Sequence, residues 1–226
     1  MTRPALSIVM PVLDEAGQIE ATLAALAPLR RRGVELIVVD GGSQDGTVAL
    51  ARAEADAVLD APRGRARQMN AGAAAARGEV LLFLHADTIL PTEADRHVLR
   101  AVAGGRDGGR FDVRIAGRHP MLRVVAMLMN WRSRLTGIAT GDQAIFVRRE
   151  LFQRIGGFPD QPLMEDIELS RRLRRVSAPA CLPARVTTSG RRWESRGVWR
   201  TIFLMWRLRW RYWRGESAHR LAAAYR

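Results

Sequence analysis

Strand and helix signals alternate through the first half of the chain, and this alternation limits the possible folds more than any other feature. Apolar runs that predict buried strands lie at residues 6–12, 36–39, 58–59 and 80–84. Helical signals lie between them, at residues 18–32, 47–55 and 65–77. Repeated units of this kind build a mostly parallel sheet with helices on its faces. The sequence therefore predicts an α/β fold.

Acidic residues mark the point where each predicted strand ends. Asp14 and Glu15 follow the first strand, and Asp40, Asp60 and Asp87 end or follow the next three. A single acid at such a place commonly caps the next helix, as Asp45 would for the helix after Gly46. Together they favour one ligand site, because ligands of open α/β sheets bind outside the carboxyl ends of the strands.

The composition excludes several enzyme classes. All 36 basic residues are arginine, so Walker-type phosphate loops, Schiff-base enzymes and pyridoxal enzymes lack their lysine. The single cysteine, Cys181, cannot close an internal disulfide or build a cysteine zinc site. We find no signal-peptide cleavage pattern and no run of apolar residues long enough to span a bilayer. We therefore expect a cytoplasmic protein.

The positive charge lies in the later part of the chain. The net charge is +13, yet the first sixty residues contain five arginines and nine acids. Such an asymmetry predicts an anionic partner, which would be a nucleoside diphosphate, an anionic membrane surface or a nucleic acid.

Three further groups of residues have two interpretations each. Asp87, in FLHADT, suits Mg²⁺ or Mn²⁺ bound to a diphosphate, or it caps a helix before Pro91. Arg65 and Arg67 suit phosphate binding near a helix start, or they are solvated surface residues. Glu165 and Asp166 suit acid–base catalysis, or they are placed by the dipole of a helix that begins there.

An ordered set of motifs runs from residue 6 towards the C-terminus. The motifs are PVLDE, VVDGGSQDGT, RARQMNAG, FLHADT, GDQAIFVRR, GGFPD and MEDIELSRRL. The set resembles family 2 glycosyltransferases of the GT-A fold, and it is most similar to the prokaryotic radical-SAM/selenodomain-associated transferase 2 group. The resemblance implies a GT-A, Rossmann-like, mostly parallel sheet in one domain over residues 1–226. That domain would comprise a nucleotide-sugar half (1–104), an acceptor and catalytic half (105–190) and a basic, tryptophan-rich segment (191–226).

The resemblance also implies a reaction and the residues that carry it. A sugar would pass from a nucleoside diphosphate sugar, chiefly a UDP-sugar, to an acceptor hydroxyl by metal-assisted inverting displacement. Asp166 would be the catalytic base beside Glu165, and Asp87 would hold Mg²⁺ or Mn²⁺. The implied nucleotide-sugar residues are Pro11, Asp14, Glu15, Asp40, Gly41, Asp45, Arg67 and Asp87. The implied acceptor-side or sugar-side residues are Gly141, Asp142, Gln143, Arg192 and Trp193.

Two departures from the family pattern qualify this prediction. His85 stands where the first acid of the D-x-D element is usual, so metal binding would depend more on Asp87. The Q-x-x-R-W element of processive members is reduced to SGRRW at residues 189–193, so we expect no polymerisation.

Three other functions compete with this one. A nucleotidyltransferase on a related sheet would normally use a lysine that this chain lacks. A non-catalytic basic protein that binds nucleic acid or membrane is favoured by net charge alone, and it leaves the strand-end acids unexplained. We therefore expect no nucleic-acid partner. A membrane-bound pseudoenzyme, binding nucleotide without turnover, is the third.

The C-terminal segment predicts an amphipathic helix over residues 199–214. Its four tryptophans (199, 206, 210 and 213) share one arc of a helical wheel, and four arginines (200, 207, 211 and 214) share the adjacent arc. Only Arg209 falls off this pattern. Such a helix lies on the inner face of an anionic cell membrane, near a lipid-linked acceptor, or packs against the domain or a dimer partner. Residues 121–135 form a second amphipathic segment, which we expect in the core or in the acceptor-pocket wall.

Overall fold

One eight-stranded sheet with helices on both faces forms the body of the computed structural model, which describes residues 3–225. The strands are β1 (Leu6–Val12), β2 (Glu35–Asp40), β3 (Ala57–Asp60), β4 (Val80–Phe83), β5 (Thr88–Ile89), β6 (Gly108–Ala116), β7 (Phe146–Arg148) and β8 (Ala180–Ser189). The helices are α1 (Ala16–Arg30), α2 (Thr47–Glu54), α3 (Arg65–Ala75), α4 (Ala94–Ala103), α5 (Met121–Thr136), α6 (Arg149–Arg154), α7 (Glu165–Val176), α8 (Arg191–Arg196), α9 (Val198–Trp213) and α10 (Ala218–Tyr225). A 3₁₀ turn lies at Gly141–Gln143.

The strand order is β3-β2-β1-β4-β7-β6-β8-β5. The four strands predicted from the first half are β3, β2, β1 and β4, and they pair in parallel. Beyond β4 the sheet is mixed, because β7 pairs antiparallel with β4 and β6, while β6 and β8 are parallel. Strand β8 was not predicted, since Pro183 interrupts it and most of its residues are only partly buried.

The parallel strands are apolar on both faces because helices cover both. Every residue of β1 and β2 is buried, as is usual for parallel strands. Ile19 of α1 and Val98 of α4 pack in the larger apolar cluster on one face. Met69 of α3 and Leu169 of α7 pack in a second cluster on the other. Because these strands run parallel, their carboxyl ends meet at one edge of the sheet.

Helix α3 lies unusually close to the sheet at Gly72. A Cβ atom added there would lie 2.4 Å from Cγ1 of Val9 and 2.9 Å from Cγ2 of Val39. The close approach brings the buried Gln68 over the strand ends, where its side-chain amide donates to the carbonyl oxygens of Val12 and Val39, each at 2.8 Å. The first turn of α3 is thereby held at the edge where the acids lie.

Helix α9 packs beside the start of α7. Leu208 of α9 and Leu221 of α10 form a small apolar cluster with Met164 and Ile167. The tryptophans of α9 take no part in this packing, because Trp199, Trp206, Trp210 and Trp213 are 55–74% exposed. Within this monomer, α9 therefore does not pack its tryptophan face against the domain.

The expectation for residues 121–135 was wrong for half of the apolar residues of α5. Leu122 and Ala126 are buried, but Met127, Leu128, Trp131 and Leu135 are exposed. The helix is amphipathic, as predicted, yet the domain leaves part of its apolar surface exposed.

We expect Gly72→Ala to destabilise the fold by about 1–3 kcal/mol, because the new methyl group overlaps two β-branched core side chains. The matched control is Gly17→Ala in α1, where an added Cβ meets no atom within 4 Å. Helix propensity alone favours alanine at both sites by up to about 1 kcal/mol. Urea unfolding of the two variants measures the difference, and equal stability would show that the close approach of α3 is not a constraint.

Candidate active site

A cavity of about 750 Å³ lies at the carboxyl edge of the sheet. Its floor is formed by residues that follow β4, by the 3₁₀ turn and by the start of α7, and its outer wall by α8 and α9. The charged residues that line it are Asp87, Asp142, Glu165, Asp166, Arg65, Arg192, Arg196, Arg200, Arg207 and Arg209. Acids from the middle and late parts of the chain thus line one cavity.

Asp87 presents a carboxylate with little competition from the protein. Its Oδ1 accepts a 3.3 Å hydrogen bond from the hydroxyl of Thr88. It does not cap a helix, because β5 follows it directly and α4 begins only at Ala94. Burial and the negative charge of Asp87 raise the pKa of Glu15. Oε2 of Glu15 lies 4.0 Å from Nη2 of Arg191.

His85 and Asp142 form a second polar pair in the cavity. His85 Nδ1 lies 3.5 Å from Asp142 Oδ1. Burial acts to raise the pKa of Asp142, but the hydrogen bond from His85 and the nearby Arg65 and Arg209 outweigh it and lower that pKa. A Cβ atom at Gly141 would lie 2.4 Å from the His85 ring, so only glycine allows the turn to sit there.

Glu165 and Asp166 face the cavity from the first turn of α7. The preceding Met164 has φ 64°, a left-handed conformation that is uncommon for this residue type. Gly141 N donates to Asp166 Oδ2 at 2.9 Å and Ile167 N donates to Oδ1 at 2.7 Å. These two bonds hold the carboxylate in a fixed orientation while its remaining lone pairs stay available.

Glu165 is the more deeply buried of the two acids. Burial, followed by repulsion from Asp166, raises the pKa of Glu165 to about 6, against the opposing effect of Arg65. The same environment acts on Arg65, where burial would lower the pKa of the guanidinium but Glu165 and Asp142 raise it. Arg65, from α3, is therefore the arginine that most lowers the pKa of Glu165.

The loops after β1 and β2 brace each other beside the cavity. Asp40 Oδ2 accepts from the backbone N–H groups of Gly42 and Ser43, and Asp14 Oδ1 accepts from Gln44 N. Asp45 accepts from Ala16 N and Thr47 N. Gly41 N donates to the carbonyl of Val12, one residue beyond the buried Pro11. These residues lie at the same sheet edge, but none of them lines the cavity.

Three further predicted site residues, Glu15, Arg67 and Gln143, also lie outside the lining of the cavity. Arg67 makes two hydrogen bonds to the exposed Asp160, at 2.8 and 3.0 Å, and it does not line the cavity. Arg65 does line the cavity, because side chains two positions apart on a helix point to different faces. Gln143 is fully buried beneath the turn, where its side chain accepts from Thr140 N and donates to Ser133 Oγ. Arg192 and Trp193 of α8 line the cavity as expected.

Several residues of the site were not singled out in the sequence. Gln68 gave no signal, since a glutamine inside an alanine-rich helix has no distinctive pattern. Arg209 did give a signal, because it is the one arginine of residues 199–214 that lies outside the arginine arc of the helical wheel. Its side chain lines the cavity. Tyr225 also lines the cavity, with the guanidinium of Arg192 4.4 Å from its ring centre.

We expect Glu165→Gln to stabilise the protein at pH 7.5 by about 1–2 kcal/mol. The folded pKa of about 6 lies above the ordinary 4.5, so ionising Glu165 destabilises the fold as pH rises through this window. Below pH 4.5 the acid is protonated in both states and the gain disappears. Urea unfolding of the variant and the native chain between pH 4 and 8 measures the effect, and a pH-independent difference would contradict it.

Comparison with known proteins agrees with this arrangement. Residues 7–156 match the family model for glycosyl transferase family 2. The chain is 26% identical to "Probable glycosyltransferase YdaM" of Bacillus subtilis (strain 168), over 95% of this chain and 56% of that protein. The chain thus spans about half the length of this curated relative.

Solved structures show the same fold. The mannosyltransferase PcManGT from Pyrobaculum calidifontis, in complex with GDP-Man and Mn²⁺, has a TM-score of 0.64 at 25% identity, over 83% of this chain and 57% of that one. Glucosyl-3-phosphoglycerate synthase from Mycobacterium tuberculosis, with Mn²⁺, UDP and glucosyl-3-phosphoglycerate, has a TM-score of 0.62 at 23% identity, over 82% and 71%. These matches confirm the expected GT-A type of α/β fold.

The family model covers about two thirds of the chain, from β1 to just beyond α6. It includes the strand-end acids, Arg65, Asp87 and the Gly141 turn, so the part of the cavity that the parallel strands build lies within the matched region. The chain therefore belongs to glycosyl transferase family 2.

Proposed function

We propose that the chain transfers a sugar from a nucleoside diphosphate sugar, UDP-sugars first among them, to an acceptor hydroxyl by a single inverting displacement. The observation that carries the proposal is the shared cavity of Asp87, which follows β4, and Asp166, at the start of α7. Relatives of similar fold are described with UDP or GDP-Man and with Mn²⁺, which supports the donor class. Membership of the radical-SAM/selenodomain-associated group stays a prediction.

Asp166 is the proposed base. Its carboxylate is oriented by Gly141 N and Ile167 N and faces the cavity. In the reaction it accepts the proton of the acceptor hydroxyl as that oxygen bonds to the anomeric carbon. The bond from the anomeric carbon to the diphosphate oxygen breaks on the opposite face, and the arginines of the cavity, Arg65 among them, stabilise the charge left on the diphosphate.

The residues around Asp87 fit a divalent cation. Among residues 3–225 no group of three or more His, Cys, Asp or Glu side chains is placed to hold a metal ion. Mg²⁺ and Mn²⁺ commonly bind through one or two carboxylates together with phosphate oxygens and water, which matches a lone Asp87 facing the donor. When bound, such a cation neutralises charge on the leaving diphosphate.

The unit that performs this reaction is proposed to be the whole of residues 1–226. Strands from residues 1–104 and from 105–190 interleave in one sheet, and the 191–226 segment supplies the outer wall of the cavity. Neither half therefore contains a complete site.

We also propose that α9 rests on an anionic membrane surface, on the cytoplasmic face of the cell membrane. Phe203, Trp206, Trp210 and Trp213 are 56–74% exposed on this helix. Arginines flank them, and α9 itself contains no acid. Such a face suits the interface of an anionic bilayer, and a lipid-linked acceptor would then enter beside Phe203 and Arg207. Among residues 3–225, no helix is both long and apolar enough to cross a bilayer.

For the donor, we expect at least one of UDP-glucose, UDP-N-acetylglucosamine and GDP-mannose to raise the melting temperature more with MnCl₂ than without it. Asp87→Ala should lose the manganese-dependent part. Asp166→Asn should keep it, while release of nucleoside diphosphate falls by about 100-fold or more.

The matched control for these variants is Glu168→Gln on α7, because Glu168 pairs with Arg171 and Arg172 and does not line the cavity. It should keep both binding and turnover. A chain that none of the three donors stabilises, or an Asp166→Asn variant with native turnover, would refute the proposal.

For the membrane, we expect the protein to float with vesicles that contain phosphatidylglycerol at low salt, and much less with phosphatidylcholine alone. Replacing both Trp206 and Trp210 by serine should release it. Val176→Ser, at an exposed apolar position of α7, is the control and should leave flotation unchanged. Equal flotation of the native chain and the double variant would rule out α9 as the contact.

A further inference from the structure

Helix α5 exposes an apolar stripe that the proposed transferase site does not use. Met127, Leu128, Trp131 and Leu135 are 46–71% exposed, and Val124 is 37% exposed. These residues recur every three or four positions, so they share one face of the helix. A continuous apolar face that the domain leaves uncovered commonly marks a surface that another molecule or a bilayer covers.

Helix α5 lies beside the segment that carries α8 and α9. Just before α5 begins, the backbone N–H groups of Arg118 and His119 donate to Oε1 of Glu194 in α8, at 2.6 and 3.2 Å. Just beyond its end, Ile138 packs against the small apolar cluster that contains Leu208 of α9. The start of α5 thus adjoins α8, and the residue that follows its end adjoins the cluster of α9.

Helices α5 and α9 also cover the same side of the sheet. Leu122 and Ala126 of α5 are buried in the larger apolar cluster, and Val198 and Ile202 of α9 are buried in it as well. The exposed residues of each helix lie on the surface that is turned away from this cluster. The apolar stripe of α5 and the tryptophan face of α9 therefore belong to one side of the domain.

The two helices share an excess of positive charge. No acid occurs between Asp112 and Asp142 or between Glu194 and Glu216, and these two stretches contain five and six arginines. Within residues 3–225, only two of these eleven arginines form a salt bridge, namely Arg134 with Asp112 and Arg211 with Glu216. An anionic partner is complementary to such a surface.

Charge decides between the two simplest occupants of this side of the domain. A second copy of the chain, placed face to face, would bring arginines against arginines, and such like-charge contacts are unfavourable. An anionic bilayer supplies negative headgroups for the arginines and an apolar layer for the exposed tryptophan, methionine and leucine side chains. The bilayer therefore matches both properties of the surface.

We propose that α5 is a second membrane-contacting helix, and that α5 and α9 together form one surface that binds an anionic bilayer. The inference rests on the proposed membrane contact of α9 and adds a separate element with its own residues. A single helix on a membrane leaves the protein free to roll about the helix axis, whereas two neighbouring helices restrict that rotation. Phe203 and Arg207 of α9 line the cavity, so the restricted orientation holds that wall next to the lipid surface.

The first test places a fluorescent label on α5. Cys181 is the single cysteine, so Cys181→Ala followed by Met127→Cys gives one attachment point for the environment-sensitive dye NBD. With vesicles that contain phosphatidylglycerol at low salt, we expect the NBD emission to shift to the blue. Lipids brominated in their acyl chains should quench it.

The matched control is Val176→Cys in the same Cys181→Ala background. Val176 is 50% exposed, and its helix α7 packs Leu169 and Leu173 in the apolar cluster on the other face of the sheet. The label on this variant should show neither the blue shift nor the quenching.

The second test asks whether α5 contributes to affinity. Leu128→Ser combined with Trp131→Ser should lower the partition coefficient for phosphatidylglycerol vesicles by at least about tenfold, because two apolar side chains no longer enter the bilayer. Val176→Ser should leave it unchanged. The melting temperature of the double variant should stay at the native value, because both positions are exposed.

The outcomes separate this inference from the proposals made above. If the label at Met127 stays in water, and the double variant of α5 binds vesicles like the native chain while loss of Trp206 and Trp210 releases it, the role of α5 falls alone. If the native chain binds no anionic vesicles, both helices are excluded as contacts and the donor chemistry is unaffected. If sedimentation without lipid shows a native dimer that the α5 double variant converts to a monomer, the surface belongs to a second copy and the inference falls. If no nucleotide sugar binds but both labels behave as expected, the transferase proposal falls and the two-helix contact stands.

Discussion

The side-chain amide of Gln68 makes the contact on which the site edge depends. Where β1 and β2 end, the polypeptide turns away into two loops, and the carbonyl groups at that point are buried. Buried carbonyl groups need hydrogen-bond donors. Gln68 Nε2 donates to the carbonyls of Val12 and Val39 together, and its reach depends on the close seat of α3 at Gly72. Arg65, one turn earlier on the same helix, is placed over the cavity by this contact.

The charged groups around the cavity are not arranged for the greatest stability of the folded state. Glu165 is buried beside another acid, and Met164 holds a left-handed backbone to present both. Nε and Nη2 of Arg132 and Nε of Arg209 are shielded from solvent and make no hydrogen bond to any of the residues described. Each of these arrangements costs the folded state free energy. Their concentration around one cavity is typical of a site shaped for a charged ligand rather than for stability.

The sequence predicts the parallel half of the sheet well, because burial on both faces leaves continuous apolar runs that end at acids. In the outer half it does not predict β8, which contains a proline and is only partly buried. Among site residues, the acids Asp87 and Asp166 could be located because each lies at the end of a strand or the start of a helix. The arginines could not be assigned in this way. Arg65 and Arg67 are two residues apart, and only the helix rotation shows that one faces the cavity and the other Asp160. Gln143 had the same ambiguity, because a buried support and a ligand contact look alike in sequence.

Helix α9 has one exposed face and one face that packs against the domain. One carries the exposed tryptophans, and the other packs Leu208 against Met164, the residue that directly precedes the acids of α7. The two faces are rigidly joined through a single helix of 16 residues. The helix that we propose to rest on the membrane thus also packs against the residue from which the acids of α7 follow.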